Sequence, residues 1–191
     1  MKQRIAFFGG GFNPPHIAHV MGLAYAQVMG QFDRIYVHPC WHHAFDKDSH
    51  LIDFDHRLFM CGRAFSGMPD VHVSSMERLL RIRYTVDLME KMRVEYPKED
   101  FDLFLIIGSD NEGVMHSWHR WQDLAGLVEF FVMPRPDGAE SQMPFVLPDI
   151  SSTDIRMSLA SGPGGLGHAR KMVPPKVMDY ILEHKLYGTS H

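Results

Sequence analysis

Three glycines and two histidines stand close together in GGGFNPPHIAH, residues 9–19, directly after an apolar run. A glycine-rich turn after a strand lets backbone N–H groups approach a ligand closely, and a helix that follows presents the positive end of its dipole. His16 and His19 are three residues apart where the pattern becomes helical, so both rings could donate hydrogen bonds to one anion. The stretch therefore predicts a phosphate-binding turn. The alternative is that His16 caps the helix locally and that His19 is an ordinary core histidine.

The common glycine-rich nucleotide motifs do not describe this turn. It matches neither G-x-G-x-x-G leading into a helix nor G-x-x-x-x-G-K-[ST]. The two histidines are therefore its distinguishing feature.

The elements that would position the turn follow from alternating strand-like and helix-like patterns. Strands are predicted at RIAFFG, RIYVHP, VHVSSM, FDLFLIIGSD and LVEFFVMP, with a sixth near PFVLPD. Asn13 is predicted to cap the first helix, with the two prolines that follow it in the first helical turn. We expect GPGGLGHARK to be the most flexible loop.

Such alternation is typical of an α/β protein whose mainly parallel sheet is covered by helices on both faces. We expect a single domain over residues 1–191, with an α/β core at 1–150 and a C-terminal helical segment at 151–191. In open sheets of this kind the binding site lies beyond the carboxyl ends of the strands. The residues that follow the predicted strands are unusually polar, among them Asp110 after the fourth strand.

Composition and charge narrow the class of protein. The chain has 191 residues, of which 45% are hydrophobic and 22% charged, and its formal net charge is −4. This charge argues against binding to nucleic acid or to an anionic membrane through overall charge, and it leaves local pockets for small anions. Because no apolar run approaches about 18 residues and the start lacks the apolar core of a signal peptide, we expect a cytoplasmic protein. Cys40 and Cys61 are expected to be reduced and structural.

Two separated motifs carry a resemblance to a known family. GGGFNPPHIAH resembles the first motif of the HxGH nucleotidyltransferases, and ISSTDIR at residues 150–156 resembles their second motif, ISSTxxR. LFLIIGSDN, YTVDLME, SWHRW and VPPKVMDYILEHKLY are similar to segments of the nicotinate or nicotinamide mononucleotide adenylyltransferases. The resemblance covers almost the whole chain and implies a Rossmann-like, doubly wound sheet. Ala18 stands in place of the HxGH glycine, Asn13 where aspartate is common, and Arg83 where serine is usual.

The resemblance also implies a set of site residues. Those implied for ATP are Gly9, Gly10, Gly11, Phe12, His16, His19, Asp110, Ser152 and Arg156. Those implied for the mononucleotide are Tyr84, Thr85, Trp118 and Arg135, with Trp118 stacking on the pyridine ring. Those implied for catalysis are His16, His19, Lys47 and Arg156. Simpler roles stay open for several of them: Asp110 and Thr85 are also typical helix caps, and Trp118 could be a core aromatic, as we expect for Trp121.

The reaction that the resemblance implies is adenylyl transfer from ATP to nicotinate mononucleotide in NAD biosynthesis, with nicotinamide mononucleotide as a second candidate acceptor. A phosphate whose second pKa is about 6 is largely ionised at neutral pH, so no general base is needed. The protein must position two anions and stabilise the charge on the leaving pyrophosphate. Mg²⁺ would arrive bound to ATP, without a metal site built from the protein. The oligomeric state stays open.

Three alternative functions are weaker. A metal-dependent phosphohydrolase is suggested by a segment rich in metal-ligating residue types: His42, His43, Asp46, Asp48, His50, Asp55 and His56. No pair of these residues has a recognised zinc spacing. A nucleotide-binding module without turnover would keep the glycines and Trp118 but would not require both histidines and Arg156. An adenylyltransferase acting on pantetheine phosphate would share the two phosphate motifs but not the middle segments.

Overall fold

The computed structural model of the chain describes residues 1–42, 51–134 and 147–189. At its centre lies a sheet of parallel strands in the order β3-β2-β1-β4-β5. The strands are β1 (Gln3–Gly10), β2 (Arg34–Pro39), β3 (Val71–Val73), β4 (Phe101–Gly108) and β5 (Glu129–Met133). The chain order reverses at β1, which pairs with β2 on one side and with β4 on the other. In sheets of this kind, such a reversal opens a crevice at the carboxyl ends of the strands.

Helices connect the strands and follow the last of them. They are α1 (Ile17–Gly30), α2 (Phe54–Ala64), α3 (Met76–Leu79), α4 (Thr85–Glu95), α5 (Trp121–Leu127), α6 (Ser152–Ala160), α7 (Pro163–Ala169) and α8 (Pro175–Glu183). Short 3₁₀ turns at residues 109–111, 115–117 and 186–188 complete the described structure.

Side-chain alternation along the strands divides the core between the two faces of the sheet. Phe7 and Leu105 pack on one face with residues of α4 and α5. Phe8 and Ile106, the next residues along the chain, pack on the other face with residues of α1 and α2. The central strands are thus buried on both sides, as expected for a parallel sheet covered by helices. Trp121 packs against the first of these clusters, as the sequence predicts.

The C-terminal helices join the rest of the protein through a third apolar cluster. Met60 of α2 packs there with Ile155 of α6, Ala169 of α7 and Ile181 of α8, and all four are buried. The helix α2 therefore contacts the sheet on one side and the C-terminal segment on the other.

The first helix begins later than the sequence predicts. α1 starts at Ile17 with His16 as its N-cap, so the prediction that Asn13 caps it is wrong. The buried side-chain oxygen of Asn13 accepts hydrogen bonds from the backbone N–H of Ile52 at 3.4 Å and from the hydroxyl of Tyr187 at 2.9 Å. This side chain joins distant segments instead of capping a helix. The peptide bond after Asn13 is cis, and both prolines lie before the helix.

Two further expectations about the C-terminal third are corrected. The GPGGLGHARK segment is not a flexible loop but is helical over Pro163–Ala169. A Cβ on Gly165 would lie 2.0 Å from the carbonyl oxygen of Ser158, so the glycine permits close packing of α7 on α6. Residues 147–149 of the predicted sixth strand are not in a strand, and residues 144–146 lie outside the described residues.

Candidate active site

A cavity of about 470 Å³ opens beyond the carboxyl ends of β1, β2 and β4. Its wall combines the glycines at the end of β1 with residues at and after the ends of β2 and β4 and with the start of α4. Gly9 and Gly10 are the last two residues of β1 and only Gly11 follows it, so the predicted glycine turn, residues 9–11, is largely the end of the strand. The sequence-predicted residues on this wall are Gly9, Gly10, Gly11, His19, Tyr84, Thr85, Asp110 and Trp118. The cavity has the size of a small-molecule site and lies where an open α/β sheet binds its ligand.

The glycine turn leaves room for a ligand, and the left-handed backbone conformation beside it is at Phe12, whose φ is 45°. None of the three glycines of the turn has a positive φ, and a Cβ built on Gly9 would meet no atom within 4 Å. A side chain at Gly9 would therefore occupy open space at the cavity. A Cβ on Gly10 would lie 3.2 Å from the ring of Phe12, which is buried. Phe12 supports the turn from the core, and its side chain is not on the cavity wall.

His16 and His19 form a stacked pair at the start of α1. Their ring centroids are 3.6 Å apart, and Nδ1 of His19 accepts a hydrogen bond from the backbone N–H of His16 at 3.1 Å. Because Nδ1 is the acceptor, the proton of a neutral His19 ring is on Nε2, which makes Nε2 a hydrogen-bond donor. His19 lines the cavity, whereas His16 is only 2% exposed and occupies the N-cap position. The structure thus places His19 on the cavity wall and His16 behind it.

The second motif docks on the first through polar side chains. Ser152, the first residue of α6, donates a hydrogen bond to the carbonyl of Pro14 at 2.8 Å, and Arg156 donates to the carbonyl of Asn13 at 2.9 Å. Ser151 is the N-cap of α6, and its hydroxyl accepts from a backbone N–H in the first turn. Ser152 and Arg156 therefore adjoin the segment that precedes the two histidines, although neither side chain is on the cavity wall.

Another part of the wall is formed by residues after β4 and at the start of α4. Tyr84 is the N-cap of α4, and its ring stacks on that of His119 with centroids 4.1 Å apart. Thr85 is the first helical residue and not the cap. Trp118 is partly buried, and its Nε1 has no hydrogen-bond partner within the described parts of the chain. Asp110 is exposed and lies inside the 3₁₀ turn after β4, so it is not a helix cap either.

Comparison with known proteins identifies the family. Residues 7–158 match the cytidylyltransferase-like family. The "Probable nicotinate-nucleotide adenylyltransferase" of Anaeromyxobacter dehalogenans is 34% identical over 189 residues, which cover 97% of each chain. The relative of the same name from Enterococcus faecalis is 32% identical over 97% of this chain and 85% of its own. The chain belongs to the nicotinate-nucleotide adenylyltransferase family.

The fold of this adenylyltransferase agrees with that of a solved structure. Plasmodium falciparum nicotinic acid mononucleotide adenylyltransferase complexed with NaAD has a TM-score of 0.77 to it at 20% identity, with 98% of each chain covered. The Rossmann-like α/β fold predicted from the sequence is confirmed, and the enzyme is a nucleotidyltransferase of NAD biosynthesis. Within the three described ranges, no helix combines the length and apolar character needed to cross a lipid bilayer.

One buried residue that joins segments of the candidate site was not predicted from the sequence. Arg57 is 1% exposed, and its guanidinium donates hydrogen bonds to the carbonyls of Gly11 at 3.0 Å, Cys40 at 2.7 Å and Ile52 at 3.0 Å. It therefore ties the glycine turn to the segment after β2. A signal was present in the sequence, because Arg57 lies one helical turn before Cys61 on the buried side of α2. An ionisable residue at such a position requires polar partners.

Two ionisable groups on the cavity wall have shifted pKa values. Burial of His38, near the end of β2, lowers the pKa of its imidazole to about 4. Burial of Glu77, in α3, raises the pKa of its carboxyl to about 7, although the hydrogen bond from the backbone N–H of Trp41 and the charge of Arg57 act in the opposite direction. At pH 7 the wall thus holds a neutral histidine and a carboxyl that is partly protonated.

The phosphohydrolase alternative finds no support in the described residues. Of its segment, Asp55 pairs with Arg78, and Nδ1 of His56 lies 2.9 Å from the hydroxyl of Tyr180. Among the residues that the structure describes, no group of three or more His, Cys, Asp or Glu side chains could hold a metal ion. The predicted residues that lie outside the described ranges are His43, Asp46, Lys47, Asp48, His50 and Arg135.

Proposed function

We propose that the enzyme transfers the adenylyl group of ATP to nicotinate mononucleotide, giving the deamido form of NAD and pyrophosphate. Relatives named nicotinate-nucleotide adenylyltransferases, which align over almost the whole chain, support this proposal. The observation that carries it is the fixed Nε2 donor of His19 on the wall of a cavity that begins at a glycine turn.

In the proposed step, an oxygen of the mononucleotide 5′-phosphate attacks the α-phosphorus of ATP opposite the leaving group. A bond forms between that oxygen and the α-phosphorus, and the bond from the α-phosphorus to the bridging oxygen breaks. Pyrophosphate leaves with the electron pair of the broken bond. Because the attacking phosphate has a second pKa of about 6, it is largely ionised at neutral pH and no group needs to accept a proton. Catalysis then consists of positioning and charge stabilisation.

We assign the ATP phosphates to the glycine turn and the start of α1. Gly9, Gly10 and Gly11 line this part of the cavity, and in the proposal Nε2 of His19 donates to an oxygen that gains charge as pyrophosphate leaves. Arg156 adds a positive charge beside the turn. Two unit charges 4 Å apart interact by roughly 4 kcal/mol at an effective dielectric constant of 20, so two anionic substrates need several such groups.

Three of the predicted ATP-binding residues act in this proposal mainly through the turn. Phe12 and His16 support the cavity-facing residues from behind, and Ser152 fixes the carbonyl of Pro14. Asp110 stands at the end of β4, where its carboxylate can accept hydrogen bonds from the ribose hydroxyls of ATP.

Mg²⁺ fits this arrangement as an ion that ATP carries into the site. The described side chains at the turn are nitrogen and hydroxyl donors, namely His19, Arg156 and Ser152, and such groups suit phosphate oxygens better than a hard metal ion. When bound, the ion would neutralise part of the triphosphate charge. Lys47, as a further phosphate ligand, stays a prediction.

The mononucleotide is assigned to the part of the cavity formed by Tyr84, Thr85 and Trp118. The face of a tryptophan ring attracts an electron-poor or cationic ring such as the pyridine of the acceptor. Arg135 as a mononucleotide ligand, nicotinamide mononucleotide as a second acceptor, and a cytoplasmic location all stay predictions.

A turnover assay tests the proposal. The purified enzyme is incubated with Mg-ATP and, in turn, with nicotinate mononucleotide, nicotinamide mononucleotide or pantetheine phosphate, and both the adenylylated product and pyrophosphate are quantified. We expect equal amounts of dinucleotide and pyrophosphate with nicotinate mononucleotide, at a higher kcat/KM than with either other acceptor. Turnover with pantetheine phosphate alone, or phosphate release without ATP, would contradict the proposal.

A further inference from the structure

His38 is a buried polar residue on the cavity wall that no predicted role includes. It is the second-last residue of β2, lies opposite Gly9 in the pairing of β1 with β2, and is only 2% exposed. Neither ring nitrogen has a hydrogen-bond partner within residues 1–42, 51–134 and 147–189. Buried polar atoms almost always have partners, so two unsatisfied nitrogens at a ligand cavity indicate a contact that the ligand itself completes.

The ring of His38 is suited to a neutral hydrogen bond. Loss of water lowers the pKa of this imidazole to about 4, so at neutral pH one nitrogen carries a proton and the other is an acceptor. The aromatic rings of Phe7 and Tyr36 lie nearby, with centroids 5.7 and 6.2 Å from that of His38. A neutral donor surrounded by apolar rings can bind an oxygen without introducing a charge into the core.

The surroundings of His38 indicate which part of a ligand would reach it. Leu88, Met89 and Leu105 line the same cavity and are buried, as expected for a compartment that takes an apolar or aromatic group. Nε1 of Trp118, also on this wall, is a second buried donor without a partner among the described residues. In apolar pockets, a few such polar groups fix the orientation of the ligand. When the pyridine ring of the proposed acceptor enters this compartment, the polar group that it brings with it is its oxygen-bearing substituent.

We propose that His38 donates a hydrogen bond to the oxygen-bearing substituent of the acceptor's pyridine ring and thereby contributes to the choice of acceptor. The proposal rests on the proposed function, because it needs a pyridine mononucleotide in the cavity. It assigns His38 to binding of the acceptor and gives it no part in binding ATP.

Two variants of His38 and a matched control test this assignment. His38→Phe keeps an aromatic ring among the neighbouring rings and removes both nitrogens, whereas His38→Gln keeps a donor. The control is His72→Phe, the same substitution at an exposed residue of β3. We expect His38→Phe to raise the KM for nicotinate mononucleotide by about tenfold with less than about a twofold change in the KM for ATP. His38→Gln should show a smaller increase, and His72→Phe no change.

The ligand can be varied instead of the protein. With a pyridine ribonucleotide that lacks the ring substituent, wild type and His38→Phe should have the same affinity, because the oxygen that His38 contacts is gone. An equal loss of affinity with and without the substituent would overturn the assignment, as would an unchanged KM for nicotinate mononucleotide in His38→Phe.

A spectroscopic measurement covers the case in which His38→Phe fails to fold. In wild-type enzyme labelled with ¹⁵N-histidine, the His38 ring signals, identified by their absence in His38→Gln, should shift on saturation with nicotinate mononucleotide and not with ATP alone. His38 signals that do not respond to the mononucleotide would overturn the proposal. If the wild type forms no dinucleotide with any mononucleotide, the proposed function fails and this inference fails with it. If wild-type turnover is normal and His38 does not respond, only this inference fails.

Discussion

At the scale of single residues, the hydrogen bond between the two histidines of the first motif determines what His19 can do. The backbone N–H of His16 occupies Nδ1 of His19, so the neutral ring can offer only Nε2–H as a donor. The sequence shows the spacing of the two histidines but not this tautomer, because the tautomer depends on a backbone contact that exists only after the turn has formed.

We expect His19→Ala to lower kcat by about 100 to 1000-fold, the usual effect of removing one donor at a developing charge. The measurement is steady-state turnover with Mg-ATP and nicotinate mononucleotide, with the melting temperature recorded in parallel. His72→Ala serves as the control, since His72 is exposed on β3 and is not on the cavity wall. Turnover of His19→Ala near the wild-type value would remove His19 from the reaction.

Glu77 gives a pH-dependent prediction at the same scale. Its carboxyl has a pKa of about 7 in the folded protein against 4.5 for the ordinary group, so between these values the folded state binds more protons than the unfolded state. Its ionisation therefore destabilises the fold progressively as pH rises through this window, by up to about 3 kcal/mol. The neutral Glu77→Gln side chain can still accept from the backbone N–H of Trp41 but cannot ionise.

The free energy of unfolding of Glu77→Gln, relative to wild type, should consequently increase between pH 4.5 and pH 7 and level off above it. Denaturant titrations at several pH values measure this difference. His38 has the opposite effect, because its lowered pKa reduces the free energy of unfolding as pH falls from 6.5 toward 4. Since both proteins contain His38, its contribution cancels in the difference between them. A difference that stays constant across the window would contradict the pKa assigned to Glu77.

At the scale of elements, Arg57 of α2 joins segments that the sequence shows only separately. Its guanidinium binds carbonyls in the glycine turn, in the segment after β2 and in the segment before α2. Its planar fork of donors can serve several acceptors at once, which a lysine ammonium does less well.

Arg57→Met should lower the free energy of unfolding by roughly 3 kcal/mol, because three partly buried carbonyls lose their donor. It should also raise the KM for ATP, since the glycine turn loses a support. Arg63→Met on the same helix is the matched control, because Arg63 makes an exposed hydrogen bond to the carbonyl of Lys176. Equal effects of the two substitutions in chemical denaturation would contradict the role given to Arg57.

The elements themselves were largely predictable, and the exceptions have physical causes. Strong apolar runs such as FDLFLIIG and RIYVHP predicted β4 and β2 because buried parallel strands need continuous apolar sequence. The start of α1 was misplaced because the side chain of Asn13, a typical helix cap, is used in contacts with distant residues. α7 was missed because one of its glycines, Gly165, permits close packing against α6, which local sequence cannot distinguish from flexibility.

The site was only partly predictable for a related reason. The glycine turn, His19 and Trp118 follow local motifs, and the structure brings them to one cavity. His38 and Arg57 do not belong to a local motif, and their importance depends on burial and on partners from other elements. Ser152 and Arg156 were predicted to be near the phosphates, and the structure shows that they reach the first motif through its backbone carbonyls.

At the scale of the whole molecule, the cluster around Met60 connects the C-terminal helices to α2 and hence to the sheet. The prediction of a single domain over residues 1–191 can be tested through this cluster. All three tryptophans, Trp41, Trp118 and Trp121, lie within residues 1–150, so their fluorescence reports on the α/β core. Far-UV circular dichroism reports on all helices.

Ile181→Ala removes fully buried apolar volume from α8 and should lower the free energy of unfolding by about 3 kcal/mol. If the chain unfolds as one domain, the tryptophan fluorescence and circular dichroism transitions shift together to lower denaturant concentration. The contradicting result would be a tryptophan transition that stays at the wild-type midpoint, together with an additional circular dichroism transition at lower denaturant concentration. That result would show two independently unfolding units.

The central claim is that one cavity at the carboxyl edge of the sheet holds the triphosphate at the glycine turn and the acceptor beside it. A crystal structure of the enzyme with a non-hydrolysable ATP analogue and nicotinate mononucleotide tests it most directly. We predict phosphate oxygens within about 3 Å of the turn amides and of Nε2 of His19, with the pyridine ring against Trp118. Phosphates bound elsewhere, with the His19 ring in contact with neither nucleotide, would contradict the account.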